Sequence, residues 1–384
     1  MFPEENRRKF SFLRVFWGVA CLLFIALLTP AIRLLFFENF GRWLYILLFA
    51  FSTSALLTPL MMFIASRAGI VDNPGGRKIH TRVTPLLGGV AVTISFISAL
   101  LANMILDARD VVLIAGGTVI AAVGLIDDWK NIPARYKLLI QVCVVLVLIR
   151  SGIILDLFPI HTTWGYLLNA ALSIIWIVGL TNAMNFIDGM DGLAAGVSAI
   201  ISLFLGIVAF QTNQPFMGWI AIAMLGCCLG FFPFNFGLRR QAAIFLGDAG
   251  SAFFGFVLSA LAIKASWADN NPIVSFATPI LIFWVLIYDM AYISLERIIT
   301  GKVKSFQDWI DYVGTDHIHH RLLVVFGDRK RVVFFIFFLC ATLGISAITL
   351  RGASTSDGIL TVVQAFLITV IVSILEYSGR NHTK

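Results

Sequence analysis

Charge is scarce in this sequence, and the scarcity excludes a water-soluble globule. Of its 384 residues 13% are Asp, Glu, Lys or Arg and 59% are hydrophobic, with a mean hydropathy of +0.92. Cysteine is also sparse. The five present, Cys21, Cys143, Cys227, Cys228 and Cys340, lie in apolar runs without ligand spacing, so free buried thiols are expected rather than a disulfide framework or a redox or metal site. Internal repeats at a period of roughly 20–50 residues, low-complexity tracts and linkers are lacking too, and residues 1–384 read as one domain.

What is abundant is the long apolar run. Twelve segments reach, or nearly reach, the length that crosses ~30 Å of hydrocarbon at ~1.5 Å per residue. They are 13–36, 43–66, 87–106, 110–126, 137–156, 165–184, 192–211, 217–234, 249–267, 273–296, 333–350 and 358–377. The expected fold is therefore all-α, a polytopic transmembrane helical bundle of about twelve spans. Arg7, Arg8 and Lys9 precede the first run, but that run is of spanning length and no small-residue cleavage site follows. A retained helix is expected there, not a signal peptide. With the N-terminus inside, 22 of the 28 Lys and Arg fall on the cytoplasmic side, leaving Arg33, Arg42, Arg109, Arg150, Lys264 and Arg351 outside. The net charge of +7 is then topology, with attraction for anionic lipid and phosphate second to it and no nucleic-acid partner implied.

Five polar stretches interrupt the apolar chain, and this orientation places all of them on the cytoplasmic face: 72–89, 127–137, 182–192, 235–251 and 316–321. In the second, Asp127 and Asp128 are adjacent acids at a helix end. Such a pair is either a solvated terminus or a site where cations offset the repulsion. In the third, Asn185-Phe186-Ile187-Asp188-Gly189-Met190-Asp191-Gly192 sets two acids three apart among glycines. The alternating acids and distal Glu of a calcium loop are missing, so a metal or nucleotide site and a helix cap both stay open. Phe245-Leu246-Gly247-Asp248-Ala249-Gly250-Ser251 opens an apolar run. Asp248 suits an N-cap, and the same geometry suits a divalent metal held against pyrophosphate at a helix N-terminus. A divalent cation reconciles many acids with an anionic substrate.

Asp316-His317-Ile318-His319-His320-Arg321 lies in the largest cytoplasmic loop. Zinc would need a further ligand, and imidazoles beside an arginine suit a phosphate pocket better. In the first stretch, positive-inside topology accounts for Arg77 and Lys78 but not for Asp72, His80 or the Gly88-Gly89 pair. A membrane transporter or flippase is the rival reading from another class. It rests on Asp289, the one acid well inside an apolar run, beside Tyr288 and Tyr292.

Together, in this order and over about residues 67–377, the five stretches resemble the polyprenyl-phosphate N-acetylhexosamine-1-phosphate transferase family, glycosyltransferase family 4. The resemblance implies eleven spans in the family-like part, an extra N-terminal span at about 13–36, and an active site facing the cytoplasm of a bacterial inner membrane. It implies transfer of a sugar 1-phosphate from a UDP-N-acetylhexosamine to undecaprenyl phosphate with Mg²⁺ or Mn²⁺. UMP is released, and lipid-linked cell-envelope polysaccharide synthesis begins. Membrane lipids surround such an enzyme, and a homodimer is compatible with it. By the same resemblance Asp127 and Asp128 are the acidic pair near the lipid phosphate, and Asp248 is the principal metal ligand with Asp128 as a second. Asn185, Asp188, Asp191 and Asn235 line the nucleotide-sugar site, with Phe245 near the uracil and Lys78 near the nucleotide. His317, His319, His320 and Arg321 face the diphosphate or sugar. The histidine motif is similar to that of the branch using UDP-N-acetylglucosamine, the alternative being the branch that loads muramyl pentapeptide.

Overall fold

The computed structural model describes residues 4–74, 83–237, 241–267, 272–312, 314, 316–350 and 352–382. Among them the regular elements are helices and one two-stranded ribbon. The N-terminal third contains α1 (Glu4–Leu27), α2 (Pro30–Asn39), α3 (Arg42–Ala68), α4 (Gly88–Ala102) and α5 (Ala108–Lys130). Next come α6 (Ala134–Arg150), α7 (Thr163–Ile187), α8 (Leu193–Gln211), α9 (Pro215–Asn235) and α10 (Gly247–Lys264). The C-terminal part adds α11 (Pro272–Ile282), α12 (Trp284–Ile299), α13 (Phe306–Asp311), α14 (Ile318–Phe326), α15 (Arg329–Ile348) and α16 (Thr355–His382). The all-α polytopic expectation is met, and the number of long apolar helices makes this a multi-pass membrane protein.

Every one of the twelve apolar segments is helical, but not every one is a straight span. Among the described residues eight helices are long and apolar enough to cross a membrane alone, and counting each bent pair as one span raises the number to ten. The segment at 13–36 breaks between α1 and α2 with a bend of 86°. Pro30, at the start of α2, has no amide to continue α1 and forces Thr29 into an extended conformation. The segment at 273–296 breaks between α11 and α12 at 78°, one turn after Pro279 removes a donor from α11. The segments at 87–106 and 137–156 become the shorter helices α4, of 15 residues, and α6, of 17.

Burial separates centre from periphery. In α10, 83% of the most apolar stretch is inside the protein, against 22% in α16, so α10 is the central post and α16 turns a broad apolar face outward. The two ends of α10 are held differently. At its C-terminal end Lys264 ion-pairs with Asp107 and Asp110, the two members of the capping box that starts α5. At its N-terminal end backbone packs on backbone. The Gly88 and Gly89 amides donate to the Phe245 and Leu246 carbonyls (3.1 and 2.8 Å), and the Phe245 amide donates to Pro85 O (2.8 Å). A Cβ on Gly89 would collide with the Gly250 backbone, so this approach of α4 to α10 requires glycine. Just before it, Val71–Asp72 pairs antiparallel with Thr84–Pro85.

Candidate active site

Successive antiparallel helices bring their polar ends to one end of the bundle. The C-terminal end of α5 supplies Asp127 and Asp128, the start of α6 supplies Lys137, the end of α7 supplies Asn185 and Asp188, and the start of α10 supplies Asp248. Lys137 Nζ donates to Asp127 Oδ2 (2.6 Å) and to Asp248 Oδ2 (3.1 Å), bridging two acids 121 positions apart in sequence. Asp128 plays another part. Its oxygens accept the amides of Asp248 (2.8 Å) and Ala249 (3.2 Å), so it caps the N-terminus of α10 from a different helix. Gly247, immediately before, has φ +74°, and a Cβ there would stand 2.5 Å from Asp128 Oδ2. The turn thus needs glycine both for its conformation and for the carboxylate it admits. Asn185 Nδ2 donates to Ser251 Oγ (3.0 Å), tying α7 to the first turn of α10.

The carboxylate of Asp188 has no hydrogen-bond partner among the described residues, although its amide donates to Asn185 O (3.3 Å). Desolvation first, and then the charges of Asp248, Asp128 and Asp191, push its carboxyl well above the usual carboxylate range. An uncompensated carboxylate among three others is a place where positive charge is demanded. Asp191 accepts the Ala242 amide (2.8 Å) and lines a cavity of about 290 Å³ with Met190, Phe236, Gln241, Arg329 and Lys330. Asn235 is buried with both ends of its amide used: it accepts from Gly192 N and donates to Ile244 O, each at 2.9 Å. It is a strut between two loops of the site.

The histidine motif forms the start of α14 and closes over the loop containing Asp188. His317 stacks on Phe186 (ring centroids 4.9 Å), and a Cβ on Gly189 would collide with His319 Nε2. His319 is 1% exposed with neither ring nitrogen hydrogen-bonded. Burial, then the charges of His320, His317 and Arg321, hold its ring well below the ordinary histidine range and therefore neutral near pH 7. His320, half-buried, is lowered for the same leading reason. Arg321 does not face an open site. Its Nε donates to Glu376 (2.8 Å) and its Nη1 to the Asp316 carbonyl (2.8 Å), with the guanidinium over the Tyr292 ring at 4.1 Å. Asp316 is gripped by Arg297 through two bonds of 2.8 and 2.7 Å. Burial raises its carboxyl, but these bonds outweigh it and leave the group below the usual range.

The structure therefore brings Asp127, Asp128, Asn185, Asp188, Asp191, Asp248 and the histidines to one end of the bundle and makes Asn235 and Arg321 internal ties. Phe245 is half-buried beside them, and Lys78 lies outside the described residues. Lys137, Arg329 and Lys330 are additions that sequence reasoning counted only as topology. Asp289, on which the transporter reading rested, is occupied by His317, the Ile318 amide and Arg321.

Carboxylates at helix ends, one bridging lysine and a capping histidine helix, all set in a membrane bundle, form a site of the kind that suits phosphoryl transfer at a membrane face. Residues 111–266 match the family described as glycosyl transferase family 4. A relative from Bacillus subtilis (strain 168), named "Probable undecaprenyl-phosphate N-acetylglucosaminyl 1-phosphate transferase", is 32% identical over 308 residues, covering 79% of this chain and 83% of its own. The decaprenyl-phosphate N-acetylglucosaminephosphotransferase of Mycobacterium tuberculosis (strain CDC 1551 / Oshkosh) is 30% identical, covering 74% and 78%. The undecaprenyl-phosphate alpha-N-acetylglucosaminyl 1-phosphate transferase of Escherichia coli (strain K12) is 28% identical, covering 75% and 79%. The chain belongs to glycosyl transferase family 4, and the resemblance carried by the motifs is borne out.

Proposed function

We propose that the protein transfers N-acetylglucosamine 1-phosphate from UDP-N-acetylglucosamine to undecaprenyl phosphate, releasing UMP, with its active site at the cytoplasmic face of a bacterial inner membrane. The observation that supports this most is the Lys137 bridge: one ammonium binds Asp127 and Asp248 beside Asp128, which caps the helix on which Asp248 sits. The basic residues on the polar loops of this end of the bundle support the cytoplasmic orientation, and the names of the relatives support the sugar and the lipid acceptor.

A lipid phosphate monoester has its second pKa near ~6 and is largely dianionic at neutral pH, so no strong general base is needed. One of its oxygens attacks the β-phosphorus of the UDP-sugar, a new P–O bond forms, and the bond to the bridging oxygen breaks to give UMP. The barrier to overcome is the approach of two anions. Lys137 offsets it at one carboxylate pair, and Asp127 positions Lys137. Arg329 and Lys330, on the cavity with Asp191, would meet the donor's phosphates, and the His317–His320 turn would close over its sugar.

The donor set fits a hard divalent cation, Mg²⁺ or Mn²⁺. It offers carboxylate oxygens, one of the carboxylates is unpartnered, and a lysine ammonium already lies between two others. Among the described residues no three His, Cys, Asp or Glu side chains close into a cage. Mg²⁺ suits such a site, because it commonly takes one or two carboxylates and completes its shell with water and substrate phosphate. Asp248 would hold the ion, with Asp128 contributing the second lone pair of an oxygen; bound there, the cation would neutralise diphosphate oxygens.

The test is to follow UDP-N-acetylglucosamine labelled with ³²P in either phosphate. The β label is expected to enter the organic-extractable lipid while the α label remains aqueous in UMP. Both labels staying aqueous, with folded protein and undecaprenyl phosphate present, would overturn the proposal.

A further inference from the structure

Asp289 lies behind the histidine motif and has no part in the transfer chemistry above. Its side chain is buried on α12. Oδ1 accepts the amide of Ile318, the first residue of α14 (2.7 Å), and Oδ2 faces His317 Nδ1 (2.8 Å). A carboxylate accepts and has no hydrogen to give, so the hydrogen of this bond belongs to Nδ1, and in a neutral ring the free lone pair is then on Nε2. Rotation of the ring is resisted on its face by Phe186, two residues before Asp188. Arg321 Nη1, 3.5 Å from Asp289 Oδ1, and its bond to Glu376 brace the carboxylate from behind. His317 Nε2 has no partner among the described residues.

We infer that Asp289 is a positioning residue: it locks His317 in the Nδ1–H tautomer and leaves Nε2, beside the segment containing Phe186 and Asp188, as an acceptor for a hydroxyl or amide N–H of an N-acetylated sugar donor. The hydrogen on Nδ1 follows from the carboxylate that faces it, and only the identity of what Nε2 accepts rests on the proposed transferase reading. A buried polar network of this kind specifies one arrangement because every alternative leaves a charge or an amide unpaired.

The test has two arms. The first uses the full-length protein with ¹⁵N-labelled histidine at about pH 8, where the unperturbed imidazole is neutral. The ring nitrogens of His317, assigned by their loss in His317→Gln among the six histidines, are expected to show a protonated Nδ1 and a bare Nε2. A protonated Nε2, in either the other tautomer or the imidazolium, overturns the inference, whether or not the protein transfers sugar phosphate.

The second arm uses Asp289→Asn. This change keeps the size and the acceptor for Ile318, but turns an N–H toward His317 Nδ1 and so forces the hydrogen to Nε2. It is expected to lower kcat/KM for the UDP-sugar by about 10- to 100-fold, as loss of a partner that orients a functional histidine does. The loss should vanish in a His317→Gln background, since the residue acts through that ring. A change under about twofold, or an equal loss in both backgrounds, overturns it.

Discussion

Lys137 carries the charge balance of the site. Lys137→Met would leave Asp127 and Asp248 with no cation between them while keeping the apolar stem. Initial rates of UMP release are expected to fall by at least about 100-fold, with the protein still monodisperse in detergent. Lys137→Arg should recover only part, because a planar guanidinium does not replace a point charge held at 2.6 and 3.1 Å. Nothing in the sequence singled out Lys137, since one lysine at the start of an apolar helix is what topology alone requires. The acids were legible, because adjacent or closely spaced carboxylates at a lipid boundary are costly without a purpose. His319 gives a second prediction. Its pKa is lowered in the folded protein from the ordinary 6.5. As pH falls through that value the unfolded chain therefore gains a proton that the folded chain refuses, and stability present at higher pH is lost. The slope is at most about 1.4 kcal/mol per pH unit for one such group. The melting temperature of the solubilised protein should drop between about pH 7.5 and 5.5, and His319→Gln should flatten that drop. An unchanged profile in the variant would contradict the burial of a neutral ring.

The elements of the site are held by backbone proximity at least as much as by side chains. Gly247→Ala would place a residue with φ +74° in the left-handed region and drive its Cβ toward Asp128, costing roughly 1–2 kcal/mol for the conformation alone and more for the displaced carboxylate. Gly89→Ala would force α4 away from α10. Both are expected to lower the melting temperature and abolish most transfer, whereas Gly18→Ala, with nothing within 4 Å of the added Cβ, should change neither. Melting curves and rates for the three variants check this. The glycines of 245–251 were visible as a pattern, but their reason was not, because the partner backbone comes from residues 88–89, far away in sequence. Hydropathy likewise located every apolar segment and could not foresee the bends at Thr29 and Phe283, since composition carries no direction. The roles of Asn235 and Arg321 are ambiguous in the sequence for a related reason. A polar residue near a site looks the same in sequence whether its hydrogen bonds go to a substrate or to Gly192, Ile244 and Glu376.

Across the whole molecule the carboxylates are expected to lie on the side carrying most of the lysine and arginine. α5 has 23 residues, about 34 Å at ~1.5 Å each, so its two ends must emerge on opposite faces. In a cysteine-free background, Asn131→Cys should react with an impermeant maleimide in inside-out vesicles and Arg109→Cys only in right-side-out ones; the reverse pattern would contradict the orientation. The activity expected of the whole molecule is the transfer itself. It is tested most directly by UMP release from purified protein given undecaprenyl phosphate and Mg²⁺ with either UDP-N-acetylglucosamine or UDP-muramyl pentapeptide, beside Asp248→Ala and metal-free controls. UMP is expected with the first donor alone, and none in either control. Release with the second donor only, or undiminished release by Asp248→Ala, would contradict it.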